Sequence, residues 1–163
     1  MLAGGAGDDG LRGHAGDDSL TGKGRADTLI GDAGQDTLLG GAGDDRLDGG
    51  NGKDTLDGGA GNDTLLAGGG DVRLTSYSGA ITSIERVDMS GDGAGTRLTL
   101  DALDVLDMNA PGTLTVSGDV GDSLEAGTGW TDGGVVGAFH VYTQGLATLA
   151  VDLDVTVNPD ITL

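Results

Sequence analysis

The chain has no cysteine among its 163 residues, so it carries neither a disulfide framework nor a thiolate metal site. No run of 18 apolar residues occurs, which excludes a membrane-spanning helix. Positive charge is scarce: eight Lys and Arg stand against 27 Asp and Glu, for a net charge of −19. A chain this acidic repels phosphate backbones, so nucleic acid is not an expected partner. The first ten residues, MLAGGAGDDG, lack the basic region and apolar core of a cleaved secretory signal. Met1-Leu2 directly before the first repeat is the start expected of a piece of a longer chain.

Catalytic motifs are missing too. There is no HExxH and no GxSxG elbow, and Gly52-Lys53-Asp54 lacks the Ser or Thr of a phosphate loop. No catalytic residue is assigned, and the protein is not expected to be an enzyme. His14 falls at an exposed turn place and His140 in an alternating strand, so both are read as non-catalytic.

What the chain has in excess is glycine and aspartate. Glycine supplies 35 residues, about 21 %, against a usual ~7 %. Of the acids, all but Glu85 and Glu125 are Asp. Both Gly and Asp are poor helix formers, and here they recur with a period of nine. Residues 4–12 read GGAGDDGLR and 13–21 GHAGDDSLT, then GKGRADTLI, GDAGQDTLL, GGAGDDRLD, GGNGKDTLD and, at 58–66, GGAGNDTLL. An eighth unit, AGGGDVRL at 67–74, has Val72 where Asp belongs.

Three places carry the pattern. Gly at the first and fourth suits a turn that needs positive φ. Asp holds the sixth place and Leu the eighth in all seven full units. A period of nine disfavours a helical bundle. It fits a six-residue turn and a three-residue strand whose eighth-place residue points inward. Two units close one flattened coil of 18 residues. One edge then stacks Asp9, Asp27, Asp45 and Asp63, and the other Asp18, Asp36 and Asp54.

This GGxGxDxUx pattern resembles the RTX repeats of proteins exported by Gram-negative bacteria, over residues 4–74. The resemblance implies an all-β fold: a right-handed parallel β-roll with Ca²⁺ between the turns. It implies as metal ligands the carboxylates of Asp9, Asp18, Asp27, Asp36, Asp45, Asp54 and Asp63, together with loop carbonyls. Such a donor set suits a hard cation that takes six to eight oxygens. Five complete pairs between turns follow, hence about five or more ions. Arg25, which replaces the fourth-place Gly of unit three, weakens the two pairs that use Asp27.

The metal is expected to decide whether the roll folds. Seven inward leucines contribute about 10–20 kcal/mol at 1.5–3 each. The 22 glycines of residues 4–70 cost about 11–22 kcal/mol relative to Ala to order. Carboxylates stacked about 5 Å apart add repulsion. Without metal the roll should therefore be disordered, and metal-binding energy becomes folding energy.

The period stops near residue 74, and residues 75–163 are read as a β-rich cap. β-prone runs lie at 72–75, 80–89, 97–100, 113–116, 135–143 and 147–157, with one short helix expected at Asp101–Met108. Trp130 is read as a core anchor rather than a sugar-stacking platform. Asp119 and Asp122 in GDVGDSL echo the repeat but fall one residue short. The stretches at 83–108, 112–134 and 141–157 resemble the C-terminal region of large RTX adhesins. The ending Asp160-Ile161-Thr162-Leu163 is similar to that of type I secretion substrates. The resemblance implies a protein secreted to the bacterial surface, with a type I transporter as partner. An export module of a hydrolase and a carbohydrate-binding cap are the alternatives.

Overall fold

A Leu at every ninth residue can be buried only if consecutive repeats lie on opposite edges of a coil, with repeats 18 residues apart stacked. The computed structural model has that arrangement. It describes residues 1–67, 71–73, 81–90, 96–100, 112–119, 121–127 and 129–157, and every element among them is a strand. The helix expected at 101–108, Tyr77 and the tail at 160–163 lie outside the described residues.

The strands fall into two units. The first comprises residues 1–66 and 79–84 and holds β1 (Leu2–Ala3), β2 (Gly10–Ala15), β3 (Ser19–Gly24), β4 (Thr28–Ala33), β5 (Thr37–Ala42), β6 (Arg46–Asp48), β7 (Thr55–Ala60), β8 (Thr64–Leu66) and β10 (Ile81–Thr82). The second comprises residues 67–78 and 85–163. Its strands are β9 (Asp71–Arg73), β11 (Arg86–Asp88), β12 (Arg97–Leu100), β13 (Thr113–Ser117), β14 (Ser123–Ala126), β15 (Thr131–Val136), β16 (Phe139–Gln144), β17 (Ala147–Asp152) and β18 (Thr156–Val157).

The first unit is a parallel β-roll. One face runs β1-β3-β5-β7-β10 and the other β2-β4-β6-β8. Leu11, Leu29, Leu47 and Leu65 are in register on one face, and Leu20, Leu38 and Leu56 on the other. Leu20, Leu29, Leu38 and Leu47 are wholly buried, whereas Leu11 in the first coil is half-buried. Five of the roll's strands, β2–β5 and β7, are six residues long rather than three. Pairing resumes at the second and third places of the following unit, as in His14↔Asp32 and Lys23↔Gly41, after skipping the first-place glycine.

The second unit keeps the parallel stacking without the nine-residue period. Val87, Val116 and Val151 are in register across β11, β13 and β17, and Leu98, Leu124 and Val157 across β12, β14 and β18. An antiparallel hairpin, β15–β16, extends the sheet from β17, with a bulge between Asp132 and Val135. Val87, Leu98, Val116, Leu124, Leu149 and Val151 are wholly buried, and Trp130 is 1 % exposed. With its ring so buried, Trp130 packs as a core residue.

Candidate metal centre

The sixth-place aspartates stand at the mouths of the turns, immediately before the strands that start at the seventh place. They form two hydrogen-bonded ladders. On one edge the backbone N–H of Asp9 donates to Oδ1 of Asp27 (2.7 Å), that of Asp27 to Asp45 (2.8 Å) and that of Asp45 to Asp63 (2.8 Å). On the other, Asp18 donates to Asp36 (2.8 Å) and Asp36 to Asp54 (2.9 Å). The structure thus brings together the same two sets that the spacing groups. Asp27, Asp36, Asp45, Asp54 and Asp63 are at most 3 % exposed, while Asp9 and Asp18 are half-buried.

Each ladder bond uses one carboxylate oxygen. The second oxygen points back at the first-place glycine of its own turn. A Cβ built on Gly4 would lie 2.7 Å from Oδ2 of Asp9 and 2.8 Å from the carbonyl oxygen of Gly22. Gly13, Gly22, Gly31 and Gly40 are hemmed in the same way by their own Asp and by the first-place carbonyl of the next turn. The first-place glycine is therefore required for close approach. Positive φ falls elsewhere, at the second and fourth places, which corrects the expectation for the first. At the second place it is met by His14 (φ 77°), Lys23 (φ 89°) and Asp32 (φ 74°) as well as Gly41, Gly50 and Gly59. At the fourth place it is met by Arg25 (φ 77°) among glycines.

The free carboxylate oxygens are the chemical signature of the site. Oδ2 of Asp27, Asp36 and Asp45 is buried with no hydrogen-bond partner among the described residues. An unpaired buried charge costs several kcal/mol, so such an oxygen calls for a cation or a proton. Burial pushes the Asp45 carboxyl above the usual carboxylate range; the N–H of Asp27 offsets part of this and the charges of Asp27 and Asp44 add to it. Asp54 is raised in the same way, first by burial and then by the charge of Asp36, against the N–H of Asp36. Among the described residues no three carboxylate or imidazole groups converge. A cation between turns would therefore take most of its oxygens from the backbone. Carbonyls line the stack: those of Lys23, Arg25, Asp32, Gly34, Gly41 and Gly43 face the turn that follows on the same edge, that of Asp32 also accepting the N–H of Asn51 (2.7 Å). Carboxylate plus carbonyl oxygen is the donor chemistry a calcium ion requires.

Other candidates fall outside this pattern. Arg25 is exposed, its N–H bonds the carbonyl of Ala42 (2.6 Å), and Asp27 keeps its place in the ladder. The exposed fifth-place Asp17 and Asp44 are tied into the stack, accepting the N–H of Gln35 (2.8 Å) and Asn62 (3.0 Å). His140 Nε2 lies 2.6 Å from Asp132, stacked on Tyr142. Asp122 in the second unit, 2 % exposed, is the aspartate that the nine-residue period misses. Its Oδ1 accepts the N–H of Thr96 (2.8 Å), as in the ladders, but its Oδ2 accepts the N–H of Asp119 (2.7 Å). The Asp-x-Leu spacing of Asp122 and Leu124, shared with the repeats, was the signal for it.

The family model of the RTX calcium-binding nonapeptide repeat matches at residues 1–24, 21–56 and 44–74. No curated protein matches the chain, and no solved structure does.

Proposed function

We propose, from the premise that residues 1–74 are RTX calcium-binding repeats, that this chain is a calcium-dependent folding module of a secreted protein. The ligands in this reading are the carboxylates of Asp9, Asp18, Asp27, Asp36, Asp45, Asp54 and Asp63 with turn carbonyls, and the array acts as a concentration switch. The observation that carries it is the set of buried Oδ2 atoms at Asp27, Asp36 and Asp45 that have no hydrogen-bond partner among the described residues. Bound calcium supplies the positive charge that these stacked anions lack.

The chain's own residues do the rest. The carboxylates make the roll unfavourable where calcium is scarce, as in the cytosol, leaving residues 4–74 extended so that this segment can thread a secretion channel. At the roughly 10⁻⁴–10⁻³ M affinity of extracellular calcium modules, the roll folds after export. The partner in this reading is a type I transporter, the parent protein an adhesin at the bacterial surface, and residues 75–163 the cap that closes the roll and bears the export signal. In circular dichroism, a β signal should appear on adding calcium and vanish with chelator. A folded spectrum in excess chelator would contradict the proposal.

A further inference from the structure

The second unit leaves one strand edge open and gathers exposed apolar side chains beside it. Among the described residues β15 pairs with β16 alone, so its outer backbone edge has no strand against it. Natural sheets blunt such an edge with Lys, Pro or a bulge. β15 has neither Lys nor Pro, and its bulge lies between Asp132 and Val135, ahead of its last two residues. Those two, Val135 and Val136, are 59 % and 64 % exposed. Consecutive strand residues point to opposite faces, so this end of the hairpin is open on both. Leu153, 53 % exposed, lies by the same turn, its N–H donating to the carbonyl of Ala138 (3.3 Å).

The charge around this edge has one sign. From residue 98 onward the chain carries ten Asp and Glu and no Lys or Arg. Asp132 stands on β15, Asp152 is in register with Phe139 next to the turn, and Asp154 is exposed two residues further on. His140 is already spent on Asp132 (2.6 Å). A second copy of the chain would set the same acids against these, and an anionic lipid surface would add more negative charge. An extended segment with Lys or Arg between apolar residues matches both features. Its backbone completes the open edge, its apolar side chains cover Val135, Val136 and Leu153, and its cations meet the carboxylates.

We propose that the β15 edge is a docking site for an extended, basic and apolar segment of another protein, added to the hairpin as a further strand. Every residue it uses lies in the second unit, so it stands apart from the calcium reading. The probe is a short synthetic peptide alternating Lys and Val, titrated by calorimetry into the full chain at saturating calcium. It should bind, and Val135→Ser/Val136→Ser should weaken it by about tenfold. Both side chains are exposed, so this variant should keep the emission of buried Trp130. Leu146→Ser, at the opposite end of β16 and 77 % exposed, should bind as the unaltered chain does. On the unaltered chain, a matching peptide alternating Lys and Gly should bind about tenfold more weakly. Equal binding of the two peptides would reduce the contact to bulk charge and overturn the proposal, as would unchanged affinity in Val135→Ser/Val136→Ser. A dimer of the unaltered chain that this variant abolishes would give the edge to a second copy and overturn it too.

Discussion

The two units stack parallel strands in similar ways but treat a buried aspartate differently. In the roll, Asp27, Asp36 and Asp45 each spend one oxygen on the ladder and leave the other without a partner among the described residues. In the second unit, Asp122 makes the same ladder bond to Thr96 and satisfies its other oxygen with the N–H of Asp119. Among the described residues, one unit has buried carboxylate oxygens of the ladder without a hydrogen-bond partner and the other has none. The lesson is that the parallel stack itself does not demand metal; the strict repetition of a half-satisfied carboxylate does.

This contrast can be broken most forcefully by removing the carboxylates. Asp36→Ala/Asp45→Ala/Asp54→Ala should abolish the calcium-induced circular dichroism of the roll. Trp130, the only tryptophan and buried in the second unit, should keep its emission spectrum. A loss of Trp130 burial in this variant would mean that the second unit depends on the same carboxylates.

A smaller effect comes from the glycines beside the carboxylates. An alanine Cβ at Gly40 would meet Asp45 Oδ2 and the backbone carbonyl of Gly58, which cannot move without shifting the stack. At Gly118 it would meet Asp122 Oδ2, Val155 Cγ2 and Met89 Cε, the movable ends of side chains. Gly40→Ala should therefore cost more than Gly118→Ala, by about 1–3 kcal/mol in thermal or urea unfolding.

Acid should act on the two units in opposite directions. Asp45 and Asp54 are raised in the folded roll, so their contribution is complete below the unfolded carboxylate pKa and is lost as pH rises through the folded values. Asp132 in the β15–β16 hairpin is lowered, first by the N–H of Gly134 and then by His140. Its contribution is present above the unfolded pKa and is lost as pH falls through the folded one. Acidifying metal-free protein should thus raise the β signal of the roll and weaken the hairpin. Asp32, lowered chiefly by its bond to Arg12, works against the gain in the first coil. Circular dichroism and hydrogen exchange across pH would read both trends.

The smallest effect concerns strain. His14 is held at φ 77°, whereas the second unit has no residue other than glycine at positive φ among the described residues. His14→Gly should stabilise the calcium-loaded roll by about 1 kcal/mol, measured as a shift in Tm.

Much of the roll was legible in the sequence because each place of the nonapeptide has one physical job. Asp at the sixth place and Leu at the eighth define the ladders and the core. The first-place glycine was misread, since sequence alone does not separate a need for positive φ from a need for space beside Asp Oδ2. The second unit was less legible. Its registers step by 26 residues from Leu98 to Leu124, 33 from Leu124 to Val157 and 29 from Val87 to Val116, so no period marks the stack. β14 was missed, and the run at 135–143 merged parts of β15 and β16, because the turn between them at Gly137 interrupts no polar pattern.

The most direct measurement is a calcium titration of the metal-free chain, followed by far-ultraviolet circular dichroism for the roll and Trp130 fluorescence for the second unit. The β signal should rise with calcium over a Trp130 emission already characteristic of a buried ring. A roll signal present before calcium is added, or two probes that rise together from an unfolded baseline, would contradict it.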